Sequence, residues 1–237
     1  MKSVYNTTLQ WAKQRQLELS DFEEVGSTND EAKREAASLN ETPKLYLAGH
    51  QTQGRGRGTN TWLDTGAGEN LLSSWSFHLP QPPQSITGPR IGEALYRSAF
   101  AVWPLLDWSL KAPNDLFLGS HKIAGLLVES VSQGSTHRLI VGLGMNILNH
   151  PRTITDATHF GADTTVAEGE WYKFLDVLFH QFKIALGDVI LPHLSREVRD
   201  GLMRALNARP GKVDAVIDVS PAGDIVMKNG IIPWMEV

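Results

Sequence analysis

Cysteine is absent from this chain of 237 residues. That excludes disulfides, thiolate metal centres and every covalent mechanism that uses a Cys nucleophile. Positive charge is not in excess either. The 22 Lys+Arg are set against 26 Asp+Glu, for a formal net charge of -4, so there is no overall basic field for nucleic acid and any such binding needs a local patch. No uncharged apolar run approaches the roughly 18 to 20 residues that cross a bilayer. The N-terminal stretch carries Lys2, Lys13, Arg15 and Glu18 among few large apolar residues, and so lacks the core of a signal peptide. Internal repeats and low-complexity tracts are missing as well. The expectation is a soluble cytoplasmic protein without a membrane partner. Its hydrophobic content of 41% suits one fair-sized core plus a small module.

Strand and helix periods alternate along the chain. Residues 19–25 and 44–51 read as strands. Between them Ser27-Thr28-Asn29, followed by Asp30 and Glu31, has the polar cap and early acids of a helix running to about Leu39. Residues 53–68 form a polar, Gly-rich loop. Residues 70–79 alternate like a half-buried strand, and a helix is expected over 86–103. Four strands follow at 108–111, 116–118, 123–132 and 138–148, and their short turns imply antiparallel neighbours. Trp171, Phe174, Leu175, Leu178, Phe179 and Phe182 recur at the spacing of an amphipathic helix over 166–186. After another helix at 196–206, residues 212–237 read as three short strands broken at 220–223 and 228–230. The domains expected are 1–190 and a β module with a leading helix at 191–237.

Three constellations carry chemistry. The first is Gln51 with Gly54, Arg55, Gly56, Arg57 and Gly58: glycines let backbone N–H groups approach an anion, and arginines supply forked donors for phosphate or carboxylate. A solvated turn explains the same run equally well. The second is Lys111-Ala112-Pro113-Asn114-Asp115, then Lys122 opening Lys122-Ile123-Ala124-Gly125-Leu126-Leu127-Val128-Glu129. Alone, Lys122 would be a surface charge; its company argues for more. In the third, Gly142-Leu143-Gly144-Met145-Asn146, two glycines inside an apolar strand mark either a close approach by a ligand or backbone, or a β-bulge. Asn146 is either a structural amide or a purine-reading group.

In order and spacing, these segments resemble the biotin protein ligase family over residues 24–165, with weaker similarity to the end. The resemblance implies an α+β fold, a class II synthetase-like catalytic domain with a mixed, mainly antiparallel sheet and helices packed on one side. A small C-terminal SH3-like β module, incomplete here, is expected to follow. It implies an ATP-dependent ligase that forms biotinyl-5'-AMP and transfers biotin to a lysine of a carboxylase's biotin carboxyl carrier protein. Ser27, Thr28, Asn29, Gln51, Arg55, Gly56, Arg57 and Lys122 would bind biotin. Lys122, Arg57 and Arg55 would be catalytic, Lys111, Asn114, Asn146, Ala157 and Trp62 would meet ATP or the adenylate, and Asp115 would partner Mg²⁺. The family's Trp after the first Lys of Lys-Trp-Pro-Asn-Asp is Ala112 here, and another side chain is expected to fill its place. Only about two dozen residues precede Ser27, too few for the winged helix of family members that bind DNA, so a monofunctional type without DNA binding is expected. Free sheet edges make a homodimer compatible with the pattern.

Three other readings stay in view. A lipoate or octanoate ligase or transferase shares the fold, but one transferase branch needs a Cys. A biotin-binding protein without catalysis would show ligand binding without ATP turnover. A single-strand nucleic-acid binder needs more basic and aromatic residues than the Gly/Arg loop holds.

Overall fold

The computed structural model describes residues 1–38, 40–66, 68–161, 165–187, 191–211 and 214–237. Its elements in chain order are α1 (Val4–Gln14), β1 (Glu18–Val25), α2 (Thr28–Glu35), β2 (Lys44–Gln51), β3 (Leu71–Leu79), α3 (Thr87–Val102), β4 (Trp108–Lys111), β5 (Asp115–Leu118), β6 (His121–Gln133), β7 (Thr136–Met145), α4 (Glu168–Gly187), α5 (Arg196–Asn207), β8 (Val216–Val219), β9 (Ile225–Met227) and β10 (Gly230–Ile232). Backbone contacts divide the chain into two compact units, each made of two segments. The first joins Met1–Pro82 to Ile123–Tyr172, and the second joins Pro83–Lys122 to Lys173–Val237.

In the first unit the strands run in the order β1-β2-β3-β7-β6. β1 and β2 are parallel, which α2 permits as the crossover between them; the remaining pairs are antiparallel. β3 is buried almost throughout, so its expected half-buried character is corrected. Successive residues of a strand point to opposite faces, and both faces of β3 are covered. Trp75 meets Trp11 of α1 edge to face, with ring centroids 6.0 Å apart. On the other face Ser74 bonds Thr28 and Asn29 at the start of α2. Helices therefore flank this sheet on both faces, not on one. Each large apolar side chain so buried contributes about 1.5–3 kcal/mol.

α1 has no counterpart in the sequence reading, although Val4, Thr8, Trp11 and Ala12 are buried at helical spacing. Ser3 caps it by accepting from Asn6 N at 3.2 Å. α2 ends at Glu35 and passes into a turn at residues 36–38; its expected end at Leu39 lies outside the described residues.

In the second unit α3 packs on α5, β4 and β5, and α5 packs on β4 and β8. Glu93 of α3 bonds Arg97 at 2.8 Å, and Arg97 reaches Glu197 of α5 at 2.8 Å. Trp103 and Phe174 stack obliquely with centroids 5.3 Å apart. The C-terminal strands form a three-stranded antiparallel sheet, β10-β9-β8, with its turns where Ser220-Pro221-Ala222-Gly223 and Lys228-Asn229-Gly230 place them. Asn207 fastens it to α5 by donating to Val216 O and accepting from Val216 N, both at 2.8 Å.

Candidate active site

A buried hydroxyl and amide network sits where α2 begins. Ser27, Thr28 and Asn29 are each 3% exposed. Ser27 occupies the cap position of α2, yet its side chain makes no capping bond. Gln51 at the end of β2 does that work instead: its Oε1 accepts from Thr28 N at 2.7 Å and from Thr28 Oγ1 at 3.0 Å. Ser74 Oγ donates to Thr28 Oγ1 at 2.7 Å and also contacts Asn29 Oδ1. Asn29 Nδ2 donates to Leu127 O at 3.2 Å and to Glu129 Oε2 at 2.9 Å.

The Gly/Arg run is a small hairpin with a solvated tip at residues 58–61. Arg55 and Thr61 form a β-bridge, Gly56 N donates to Asn60 O at 2.8 Å, and Trp62 N donates to Gly54 O at 3.0 Å. A side chain at Gly54 would lie 2.5 Å from Trp62 O, so only glycine lets the two limbs close. Asp64 ties the base: it accepts from Gln51 N at 3.1 Å and from Gly66 N at 2.9 Å, and it pairs with His50 at 2.7 Å.

The glycines of β7 serve this packing. β7 keeps a regular register with both neighbours, which removes the bulge alternative. A Cβ on Gly142 would stand 2.3 Å from Asn29 Oδ1, and one on Gly144 would stand 2.4 Å from the Trp62 ring. The close approach is therefore made by the chain's own side chains.

Glu129 is the hub. Lys33 reaches its Oε1, and Arg55 reaches Oε1 at 3.3 Å and Oε2 at 2.8 Å while also pairing with Asp30 at 2.7 Å. Burial pushes the Glu129 carboxyl upward, but the bonds from Lys33, Asn29 and Arg55 outweigh burial and hold it below the usual carboxylate range. For Arg55, burial works against the charge and these carboxylates more than restore it.

Asn146 is 3% exposed. Its backbone N–H donates to Ile123 O at 2.8 Å, whereas its side-chain Oδ1 has no hydrogen-bond partner among the described residues. Ala157 closes a turn by donating to Ile154 O at 3.1 Å. Gly56, Arg57 and Trp62 are part-exposed on the hairpin.

The remaining candidates lie in the second unit. Lys122 Nζ pairs with Asp115 Oδ1 at 2.7 Å, so these two are neighbours. Lys111 is exposed and opposite Asp115 in register, and Asn114 is half-buried in the turn between them. Ala112 precedes a cis proline and lines a cavity of about 370 Å³ together with Leu110, Leu206, Ile225 and Met227. Ala112 is itself 3% exposed, so neighbouring groups cover it on its other sides. Trp234 Nε1 donates to Pro113 O at 2.8 Å.

Sequence reading gave no role to Ser74, Asp64, Asp30, Lys33 or Glu129. Glu129 carried a signal as the last residue of its motif; the others are a serine in a strand and charges on a helix and loop, which have none.

The model of the biotin/lipoate A/B protein ligase family matches residues 22–146. A biotin--[acetyl-CoA-carboxylase] ligase of Mycobacterium tuberculosis is 32% identical over 151 residues, 61% of this chain and 54% of that protein. A human biotin--protein ligase is 31% identical over 121 residues, 46% of this chain and 16% of that protein. The chain therefore spans about half or less of the length of these relatives. Among solved structures, a biotin protein ligase from Aquifex aeolicus in complex with biotin and ATP superposes with a TM-score of 0.67 at 23% identity, covering 92% of this chain and 97% of that one. That likeness establishes the fold.

Proposed function

The chain belongs to the biotin/lipoate A/B protein ligase family, and from that premise we propose that it joins biotin to ATP as biotinyl-5'-AMP and passes the biotinyl group to a lysine of a biotin carboxyl carrier protein. The observation that carries this reading is the neutral, buried network of Thr28, Asn29, Gln51 and Ser74 beside a hairpin bearing two arginines. A ureido ring is a neutral planar donor and acceptor, matched by hydroxyls and amides. A carboxylate and phosphates are matched by arginine. The biotin-bound ligase of Aquifex aeolicus supports the same assignment.

In the first step a biotin carboxylate oxygen attacks the α-phosphorus of ATP and pyrophosphate leaves. Both reactants are anionic, so charge must be neutralised as the bond forms; Arg55, Arg57 and Lys122 take that role. In the second step the carrier's lysine amine attacks the acyl carbon, the mixed-anhydride C–O bond breaks, AMP leaves and the amine loses its proton to solvent. The Gly/Arg hairpin shields the anhydride from water. Lys111, Asn114, Asn146, Ala157 and Trp62 serve the adenylate. The unbonded Oδ1 of Asn146 suits an exocyclic amine.

Among the described residues no group of three His, Asp or Glu could hold a metal, but the carboxylate of Asp115, which also pairs with Lys122, would be the group to hold Mg²⁺ carried on ATP. The ion would neutralise the departing pyrophosphate. Residues 1–190 are assigned to catalysis and 191–237 to an accessory module. The setting is the cytoplasm, with no DNA partner. A homodimer through the edge strand β1 belongs to the same reading.

The test is pyrophosphate release from ATP with biotin, lipoate or octanoate, followed by transfer to a carrier domain. Release and transfer with biotin are expected. Release with lipoate alone would move the substrate, and biotin binding without release would end the catalytic reading. Lys122→Ala should lower adenylate formation about 100-fold, and near-normal turnover would remove Lys122 from the site. Arg57→Ala should keep the fold and shorten the adenylate's half-life, which a chase with unlabelled biotin reads.

A further inference from the structure

Away from this site, the first unit buries a guanidinium with no carboxylate bonded to it. Arg138 of β7 is 1% exposed. Its Nη1 donates to Ser76 Oγ at 3.3 Å, while Nε and Nη2 are buried and have no hydrogen-bond partner among the described residues. Burial holds the group below its ordinary pKa, and Tyr46 and Glu18 are the acidic groups that act on it. Both are engaged elsewhere: the Tyr46 hydroxyl donates to Glu35 at 2.8 Å, and Glu18 accepts from Asn40 at 2.9 Å. α2 ends nearby at Glu35, and the carbonyls of a helix C-terminus favour a cation. They leave Nε and Nη2 unbonded, so the directional demand persists. A buried charge with unmade hydrogen bonds is costly and calls for a counter-ion.

The two unbonded donors are a matched pair. Nε–H and Nη2–H lie along one edge of the guanidinium and point the same way, the arrangement that grips two oxygens of one carboxylate or phosphate. Arg138 lines a cavity of about 280 Å³ with Ala36, Ala37, Val131, Gln133 and Thr136. Gln133 and Thr136 are exposed at the β6–β7 turn, which gives the cavity a mouth to solvent and adds polar groups there. Arg138 shares a face of β7 with Gly142 and Gly144 but sits toward the strand's opposite end, so the cavity is separate from the Thr28 network.

We propose that this cavity is a binding site for a small oxyanion, a phosphate or carboxylate group held side-on by Nε and Nη2 of Arg138. The ligand supplies the two hydrogen bonds that Glu18 and Tyr46 do not make to Nε and Nη2, and the mouth at the β6–β7 turn is its entry.

The test is thermal unfolding of the whole chain in sodium phosphate and in sodium acetate, each against sodium chloride of equal ionic strength, for the parent, Arg138→Met and Arg57→Ala. The parent and Arg57→Ala should gain several degrees beyond chloride with phosphate, with acetate or with both, and Arg138→Met should gain none. A response to phosphate alone identifies the group as tetrahedral, and a response to both identifies a shared oxyanion site; either upholds the proposal. No gain beyond chloride in the parent overturns it. So does a gain that survives in Arg138→Met but vanishes in Arg57→Ala, which would put the anion at the candidate active site. If Arg138→Met does not fold, Arg138→Lys keeps the charge without the fork, and phosphate binding by calorimetry should weaken at least tenfold; unchanged affinity overturns the proposal. Biotin-dependent pyrophosphate release should persist in Arg138→Met, so the two functions fail independently.

Discussion

A glycine that touches a side chain is a sharper instrument than a glycine in a turn. At Gly142 the added methyl of alanine meets Asn29 Oδ1, part of a side chain already bonded to Ser74, Leu127 and Glu129, so it cannot yield without breaking the network. Gly142→Ala should cost about 1–3 kcal/mol and weaken biotin binding at least tenfold, as read by urea unfolding and calorimetry. Gly144→Ala instead displaces Trp62 and with it the Gly/Arg hairpin, leaving Asn29 in place; biotin affinity should change less than adenylate lifetime. Glu129 adds a pH signature. Its folded pKa lies below the unfolded value of about 4.3, so its contribution is full above that value and is lost as pH falls through the lower, folded one. Glu129→Gln should therefore flatten the acid limb of the stability curve, and an unchanged limb would remove Glu129 from its hub role. The sequence named Thr28, Asn29, Gln51 and Arg55 because they stand in dense, ordered motifs. Ser74 and Arg138 were illegible because a serine or arginine in a strand looks the same whether it faces water or a partner.

At the scale of elements, hydrophobic period decided success. The aromatic stripe of α4 and the alternating strands with their Gly and Asn turns were readable to within a few residues. α1 has little apolar period to show, because its buried stripe of Val4, Thr8, Trp11 and Ala12 holds a polar residue and only two large apolar ones. β3 differs from the half-buried strand its alternation implies because Ser73, Ser74 and Ser76 are buried, with Ser74 bonded to helix residues. Turn chemistry also joins elements far apart in sequence. Trp234 bonds Pro113 O at 2.8 Å, with its ring 3.6 Å from where side chains on Gly88 and Gly92 would begin. Trp234→Phe keeps most of the ring and loses that bond, and should cost about 1 kcal/mol, a fall in Tm of about 2–4 °C. No change in Tm would mean that the bond contributes nothing net.

On the scale of the molecule, neither compact unit is a continuous stretch of chain: one change of unit falls at the run Pro80-Gln81-Pro82-Pro83, whereas the other two fall inside β6 and α4, where no linker marks them. Local pattern cannot report a division made by contacts between distant segments. A fragment ending at residue 190 would lack α5, which in the second unit packs on α3 and β4. Such a fragment should bind a hydrophobic dye and be cleaved first within residues 83–122 by a nonspecific protease. A fragment as resistant as the whole chain would mean that α3, β4 and β5 hold together without α5.

The same interleaving sets an order on birth. As the chain leaves the ribosome, α3, β4 and β5 emerge before the strands that complete the first unit, and they can pack on one another at once, yet α5, which also packs on α3 and β4, lies beyond Lys173. The part of α3 that α5 covers must therefore stay open while β6 and β7 are made, and during that interval the nascent chain shows apolar surface.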